Sequence, residues 1–338
     1  LDVWEMLYFK LNEAAHILYQ DENGVELERS SDLVGHTGEK INYSTKETIA
    51  NYLKKGYELV ENGFDADGQP NFDRDADNTN EDGVQEFIVR LAPKIVEFSA
   101  TQPIQAGQVG PGDSEGRVYP TPLAPAGQTT ADLDYLSETV TRTVTYVTED
   151  QDGSNRQPAG IADQTDSLHF TRKGTINLVT GETSLEDWTA QDGTRFAALE
   201  NPVKKGYVVV AEESTDATSS DLTKAGEHTG IHADAADITD TVIYRPVGAY
   251  RISYATGKEP AHAQKEITYL NDPTNPTAIA SPTAILPYVE GLEPKDARGQ
   301  VLNLVDPLDE TKGYLLPSPE SPTADTAINY SITKGSVR

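Results

Sequence analysis

Residues 63–83, which we call the acidic loop, contain the side chains most suited to binding a cation. The acidic residues in it are Asp65, Asp67, Asp73, Asp75, Asp77, Glu81 and Asp82. The alternate spacing of Asp73, Asp75 and Asp77 is that of the first three ligands of a calcium loop, and Ca²⁺ takes about six to eight oxygen ligands. Asp65, Asp67, Asp73, Asp75 and Asp77 are therefore the candidate ligands of an irregular calcium site.

The acidic loop differs from an EF-hand at two positions that an EF-hand requires. Asn78 stands where the sharp turn needs glycine, and Val84 stands where the bidentate glutamate belongs. These departures exclude an EF-hand. The sequence favours a solvated acidic turn that binds no cofactor, and the irregular calcium site is the alternative that it leaves open.

Other residue patterns with catalytic or metal-binding potential are weak. His228 and His232 are four residues apart, as zinc ligands on a helix would be, but Gly230 lies between them and no third ligand is near in sequence. The chain has no Gly-x-Ser-x-Gly elbow, no glycine-rich phosphate loop and no His-Glu-x-x-His motif. No feature selects a carboxylate pair for glycoside hydrolysis. We therefore predict that the protein is not an enzyme.

Charge and composition limit the possible partners. The 338 residues include 27 basic and 55 acidic ones, a formal net charge of −28. Such a charge repels nucleic acid and anionic membranes. The absence of cysteine excludes disulfides and thiolate sites. No apolar run reaches the roughly 18 residues of a membrane span, so membrane insertion is not expected. We interpret the chain, which starts at Leu1, as a piece of a longer protein and expect a monomer.

A short motif recurs three times and divides the chain into modules. The copies are Lys54-Lys55-Gly56-Tyr57, Lys204-Lys205-Gly206-Tyr207 and Thr311-Lys312-Gly313-Tyr314. Each copy is followed later by a segment with the alternation of a β-strand, at 85–91, 240–244 and 326–330. A repeated pattern of this kind indicates a tandem array.

The first module shows the clearest local signals. Asn23-Gly24 predicts a hairpin turn. Ser44-Thr45-Lys46-Glu47 has the spacing of a capping box and predicts a helix up to Lys55, which Gly56 would end. A helix among strands predicts a compact α+β unit, and a β-grasp arrangement fits this order.

The full prediction is a mostly β, α+β protein, an elongated tandem array of small β-grasp-like modules. The modules are assigned to residues 1–93, 138–247 and 248–338. A spacer rich in Pro and Gly occupies 94–137. In the second module Trp188 and Phe196 are predicted to anchor the core. The prolines of the third module predict short edge strands joined by turns.

Several segments carry the pattern of a known family. In the first module they are Ile17–Asp21, Gly38–Thr45, Lys55–Val60, Asn62–Phe64 and Phe72–Asp73. Through them residues 14–92 resemble the mucin-binding (MucBP-type) domain of lactic-acid bacterial adhesins. Through Val140–Val147, Phe170–Gly174, Val179–Glu182 and Asp187–Thr189, residues 138–245 resemble the partner domain of the Mub repeat. The third module resembles another mucin-adhesin unit at Tyr269–Thr277, Pro287–Gly291 and Lys312–Tyr314.

This resemblance implies an exported protein, anchored to a Gram-positive cell wall, that binds host mucin glycoproteins. It also leaves two alternatives: an immunoglobulin-binding module, or a stalk unit that extends a distal adhesive domain. Exposed aromatic side chains would favour glycan binding, because sugars stack on aromatic faces. The candidates are Tyr119, Tyr135, Tyr250 and Tyr288.

Overall fold

The computed structural model describes residues 12–101 and 133–335, and its contacts divide the chain into two compact units. The first unit extends to residue 138 and includes residues 170–189. The second contains residues 139–169 and the chain from residue 190 onward. Both are mostly β, as predicted. Among the described residues, no helix has the length and apolar character needed to cross a membrane.

The described elements follow one another as short strands with a single α-helix, α1 (Lys46–Lys54). The strands before residue 102 are β1 (Asn12–Gln20), β2 (Glu26–Arg29), β3 (Leu33–His36), β4 (Tyr57–Asn62), β5 (Val84–Pro93) and β6 (Ile95–Phe98). Those after residue 132 are β7 (Ser137–Thr148), β8 (Gln157–Pro158), β9 (Gln164–Thr171), β10 (Gly174–Asn177), β11 (Thr183–Leu185), β12 (Thr189–Ala190), β13 (Leu199–Glu200), β14 (Tyr207–Ser214), β15 (Lys224–Ala225), β16 (Ile238–Pro246), β17 (Ala249–Tyr254), β18 (Glu266–Thr268), β19 (Ile285–Leu286), β20 (Leu292–Lys295), β21 (Tyr314–Leu315) and β22 (Thr326–Ile332). Short 3₁₀ turns lie at Leu133–Leu136 and Glu310–Lys312.

The first unit contains a mixed sheet in the order β2-β1-β5-β4, with β3 also pairing with β1. Strands β1 and β5 are parallel, with Ile17 opposite Phe87, and β4 is antiparallel to β5. The predicted alternation in β5 is confirmed, because Phe87, Val89 and Leu91 are all buried. They pack against Ile49 and Tyr52 of α1, so the helix covers one face of the sheet.

The start of α1 differs from the predicted capping box. Thr45 is the N-cap residue, but its hydroxyl makes no capping bond and donates instead to Asp65. The Asp65 carboxylate also accepts the Thr45 amide at 3.0 Å. The pairing of Thr45 with Asp65 is favoured over the capping box because one carboxylate accepts hydrogen bonds from both the amide and the hydroxyl of Thr45. The capping box would instead use a hydroxyl and the side chain of Glu47. The predicted stop is confirmed, since Gly56 has φ +101°.

A second, smaller sheet completes the first unit, in the order β11-β10-β6. Its core consists of Phe98, Tyr135, Leu136, Ile176 and Leu178. Both ends of the predicted spacer therefore contribute to a core, and residues 170–189 pack with residues preceding 139 rather than with the second module. Residues 102–132, which include most of the predicted spacer, lie outside the described residues, as do residues 1–11. The module boundaries stay a prediction.

In the second unit two mixed sheets repeat the arrangement of the first module. In the sheet of β7, β14 and β16, β7 is parallel to β16, and β14 is antiparallel to β16. The last sheet has the order β18-β17-β22-β20. Its two central strands, β17 and β22, are the first and last strands of the third module along the chain, and they are again parallel. The strands predicted from the alternation at 85–91, 240–244 and 326–330 are thus β5, β16 and β22, each a central strand.

The repeated motif begins the same strand in the first two modules but not in the third. Tyr57 begins β4 and Tyr207 begins β14. Each of these strands pairs with the last strand of its module, β5 or β16, with a register shift at Val60 or Val210. Tyr314 instead begins β21, which pairs with β19, while β20 takes the place beside β22. The third copy is therefore a local resemblance in sequence without the same position in the sheet.

Two predictions for the core of the second module had different outcomes. Phe196 is buried, as predicted, and lies 5.2 Å beneath the guanidinium of the fully buried Arg142. Trp188 is only half-buried, and the Arg172 guanidinium lies 4.2 Å from the centre of its ring. An indole ring can be stabilised at the protein surface by packing against a guanidinium cation. The presence of a Trp in the sequence therefore did not show that it belongs to the core.

Candidate functional site

The acidic loop carries separate turns rather than a convergent set of ligands. The side chains of Asp67, Asp73, Asp75 and Asp77 are exposed. Asp73 accepts the Asp75 amide at 3.0 Å and donates its own amide to the Gln85 side chain at 2.9 Å. Among the described residues, which include the whole loop, no group of three or more His, Asp or Glu side chains is arranged to hold a metal ion. Calcium binding by these residues stays a prediction.

Asp65 has a structural role that the sequence pattern did not indicate. Besides Thr45, its carboxylate accepts the Asn62 side-chain amide at 2.8 Å. Burial alone would raise the pKa of Asp65, but the hydrogen bonds from Thr45 and Asn62 outweigh burial and hold that pKa below its usual range. The carboxylate thus fastens the start of α1 to the end of β4.

The two histidines of the weak zinc pattern do not form a site. His228 is buried and His232 is exposed. The ring nitrogens of His228 contact Asp216 at 2.7 Å and the fully buried Asp240 at 2.9 Å. Next to them, Arg142 donates to Asp166 and to the backbone carbonyl of Gly226. The buried Arg142, His228 and Asp240 therefore have polar partners within the module, and two of these partners, Asp166 and Asp216, are exposed.

The aromatic side chains named as glycan candidates are mostly used within the core. Tyr135 and Tyr250 are buried, and the Tyr250 hydroxyl donates to the Pro317 carbonyl at 2.6 Å. Burial raises the pKa of Tyr250 to about 12. Tyr288 is half-buried, and Tyr119 lies outside the described residues. Of the four, only Tyr288 is described with part of its ring accessible.

Within the second unit, one asparagine joins the repeated motif of the second module to the third module. The Asn271 side chain accepts the Gly206 amide at 2.7 Å and donates to the carbonyl oxygens of Lys204 at 3.1 Å and Tyr207 at 2.6 Å. The Val209 amide donates to the Pro276 carbonyl at 2.9 Å. We call this set of bonds the Asn271 clamp. It explains why the two modules form one compact unit.

A polar cleft of about 530 Å³ opens beside the Asn271 clamp. We call it the junction cleft, and its lining residues are Glu200, Asn201, Val203, Thr223, Asp272, Pro273, Thr274, Asn275 and Pro276. Its volume falls within the range of small-ligand sites, about 300–1,000 Å³. The lining brings together residues that are about 70 positions apart in the sequence.

The third module contains a second concave region of different chemistry. This mostly apolar cavity of about 160 Å³ is lined mainly by aromatic, aliphatic, Ala and Pro residues, among them Tyr250, Ile267, Tyr269, Leu270 and Ile279, and its polar lining residues are Thr268, Ser281 and Thr283. The hydroxyl of Tyr269 is already bound to the Ala324 carbonyl at 2.7 Å. An apolar cavity offers little to a polar sugar, so the junction cleft is the better candidate for glycan recognition.

The residues of the junction cleft were not predicted as a site. In the sequence, residues 272–276 belong to the family signature Tyr269–Thr277 and carry no other signal of a site. Their density of turn-forming residues indicates a loop, and the sequence contains no signal that places this loop beside Asn201. Only the packing of the two modules brings them together.

Two family models match the chain, and they match the regions where the resemblance was found. The model described as the mucin binding domain matches residues 13–92. The model described as the Muc B2-like domain matches residues 131–248. These two regions thus match the mucin binding domain and Muc B2-like domain families, as the resemblance predicted. These are families of binding modules rather than enzymes.

Several solved structures are similar to parts of the chain. The structure described as Mub-RV is 24% identical with a TM-score of 0.44, and the match covers 69% of this chain and 98% of that one. The type 2 repeat of the mucus binding protein MUB from Lactobacillus reuteri is 25% identical with a TM-score of 0.34, covering 69% and 99%. The MucBP domain of the adhesion protein from Pediococcus pentosaceus is 27% identical with a TM-score of 0.21, covering 32% and 97%. A comparison with curated proteins finds no match.

Proposed function

We propose that this chain is the extracellular, mucus-binding part of a bacterial surface adhesin and that it binds mucin glycoproteins through their glycans. The observation that carries the proposal is the match of residues 13–92 to the mucin binding domain, with the Muc B2-like match at 131–248 beside it. The full-length protein is anchored to a Gram-positive cell wall. The modules are β-grasp-like and arranged in tandem. In support of this proposal, the first and last strands of each module are paired in parallel: β1 with β5, β7 with β16, and β17 with β22.

The direct test is binding of the chain to immobilised purified mucin, with the same mucin after enzymatic removal of its glycans as the control. Binding that is lost with the glycans supports the proposal. Equal binding to both surfaces would point to the mucin polypeptide instead. Binding to immunoglobulin alone would favour the immunoglobulin-binding alternative, and no binding to either would favour a stalk.

The net charge of −28 makes the salt response of binding a second test. Mucins carry sialic acid and sulfate, so two polyanions must approach each other, and the attraction must come from short-range contacts. Salt reduces the reach of their repulsion to about 8 Å at physiological ionic strength. We expect the affinity for mucin to increase with moderate salt at neutral pH. An affinity that falls as salt is added would contradict this account, because it would indicate attraction between opposite charges.

A further inference from the structure

We propose that the junction cleft binds an uncharged sugar unit of a glycan chain and disfavours sialylated or sulfated units. The proposal rests on the proposed function in taking mucin glycans as the source of the ligand. It adds a location, the cleft between the second and third modules, and a chemical selectivity.

The first support is a buried polar atom without a partner. Asn201 lines the cleft and only 6% of its surface is exposed. Its Nδ2 donates to the Leu222 carbonyl at 2.9 Å and its backbone amide to the Thr223 carbonyl at 2.8 Å. Within residues 12–101 and 133–335, no hydrogen-bond partner lies near its Oδ1. A buried acceptor of this kind costs roughly 1–3 kcal/mol when left unpaired, so a ligand hydroxyl that bonds to it would gain affinity.

The second support is the surplus of acceptors in the lining. The hydroxyl of Thr223 is bound to Asp221 at 2.6 Å, and that of Thr274 to Asp272 at 2.8 Å, so both donors are already in use. The carboxylates of Glu200 and Asp272 and the amide oxygen of Asn201 accept hydrogen bonds. The side-chain amide of Asn275 adds a donor, so the lining suits a ligand that brings several donors and also acceptors, and the hydroxyl groups of a sugar ring are both.

The charge of the lining determines which sugars fit. Glu200 and Asp272 are acidic, and the lining contains no Lys, Arg or His. Asp carboxylates are ionised at neutral pH, and hydrogen bonds from Thr274 hold the pKa of Asp272 below its usual range. A sialic acid carboxylate or a sulfate would therefore meet like charge in the cleft, whereas a neutral hexose or N-acetylhexosamine would not.

A metal ion would also match an acceptor-rich lining, but the geometry favours a sugar. Within the part of the chain that the structure describes, no three acidic or histidine side chains converge as metal ligands. The cleft also has apolar surfaces at Val203, Pro273 and Pro276, which suit the C–H faces of a sugar ring and offer nothing to a cation. The Asn271 clamp fixes the two sides of the cleft relative to each other, so a ligand need not order them.

The test uses the whole chain and two synthetic probes: an uncharged disaccharide of galactose and N-acetylgalactosamine, and the same disaccharide carrying sialic acid. We expect the uncharged probe to shift the NMR resonances of the Asn201, Thr223 and Thr274 amides, and to bind at least about tenfold more tightly than the sialylated one. Glu200→Ala should weaken binding of the uncharged probe. Glu200→Gln should reduce the difference in affinity between the uncharged and the sialylated probe. Glu227→Ala, an exposed acidic residue outside the cleft, is the matched control and should change neither.

The other outcomes either overturn the inference or separate it from the proposed function. Shifts confined to the first module or to the apolar cavity would place the site elsewhere. Calcium chloride alone shifting the cleft amides would identify a cation as the ligand. Tighter binding of the sialylated probe would refute the selectivity. If the chain binds mucin but the uncharged probe leaves the cleft unchanged, the inference fails and the proposed function stands. If the probe occupies the cleft but mucin is not bound, the proposed function fails and the inference stands.

Discussion

Removal of the Asn271 side chain should open the contact between the second and third modules without unfolding either one. The amide of Asn271 makes three hydrogen bonds, all of them to the backbone of the Lys204–Tyr207 segment. A hydrogen bond contributes about 0.5–1.5 kcal/mol net, so Asn271→Ala should cost roughly 2–3 kcal/mol. The three backbone groups would then have to find water instead.

The assay is amide hydrogen exchange, because it reports local opening residue by residue. The amides of Gly206 and Val209 donate across the contact, to Asn271 and to Pro276. A loss of 2–3 kcal/mol corresponds to protection reduced about 30- to 150-fold at these two amides. Asn271→Asp keeps the size of the side chain but replaces the donating Nδ2 with an acceptor that faces two carbonyls, so it should be at least as disruptive.

Two controls make the result interpretable. Asn329 is exposed and makes one side-chain bond, to Ser253 at 2.8 Å, so Asn329→Ala should change the protection of Gly206 less than about threefold. The amide of Gly56 in the first unit donates to the Leu53 carbonyl and reports on global effects. The reasoning is refuted if Asn271→Ala leaves Gly206 protected to within threefold, or if it reduces the protection of Gly56 by the same factor.

Three further predictions concern the first unit. Gly56→Ala should lower its free energy of unfolding by more than about 2 kcal/mol, because φ is +101° and an added methyl group would overlap the Leu178 carbonyl oxygen. The control is Gly24→Ala, where φ is +79° and the space is open, so that only the backbone strain of about 1 kcal/mol is lost; equal losses for the two variants in urea titrations would contradict the overlap. Because the pKa of Asp65 is lower in the folded state than in the unfolded chain, where it is near 4, its ionisation stabilises the fold at neutral pH, and this contribution is lost as pH falls through the pKa of the folded state. Asp65→Asn should therefore be less stable than the parent chain at pH 7, and the difference in free energy of unfolding should shrink toward pH 3 in the same titrations. A difference that does not change with pH would refute this prediction. If the acidic loop binds calcium, millimolar calcium should release or absorb heat in calorimetry and raise the melting temperature; no heat and no shift would exclude the site.

The amino-acid sequence determined those features that depend on near neighbours along the chain. The alternation in 85–91 placed Phe87, Val89 and Leu91 on one buried face, and Gly56 ended α1 where its motif predicted. The repeated motif identified the strands that follow Tyr57 and Tyr207. Such signals are readable because strand period, helix length and left-handed backbone are set within a few residues.

Tertiary structure decided everything that required distant residues to meet. Asp65 rather than Glu47 holds the N-cap residue of α1, because the end of β4 lies beside it in space. Residues 170–189 joined the first unit, since β10 finds an open strand edge in β6. The third copy of the repeated motif has the residues of the other two but a different strand partner.

The junction cleft is the clearest case of a site that sequence alone does not show. Asn201 and Asp272 belong to different modules, and each lies in a loop whose residue types indicate only a turn. Their meeting depends on the Asn271 clamp and on the shared core that includes Val208. Contacts between distant segments are fixed by the packing of whole modules, and no local pattern of residue types encodes that packing.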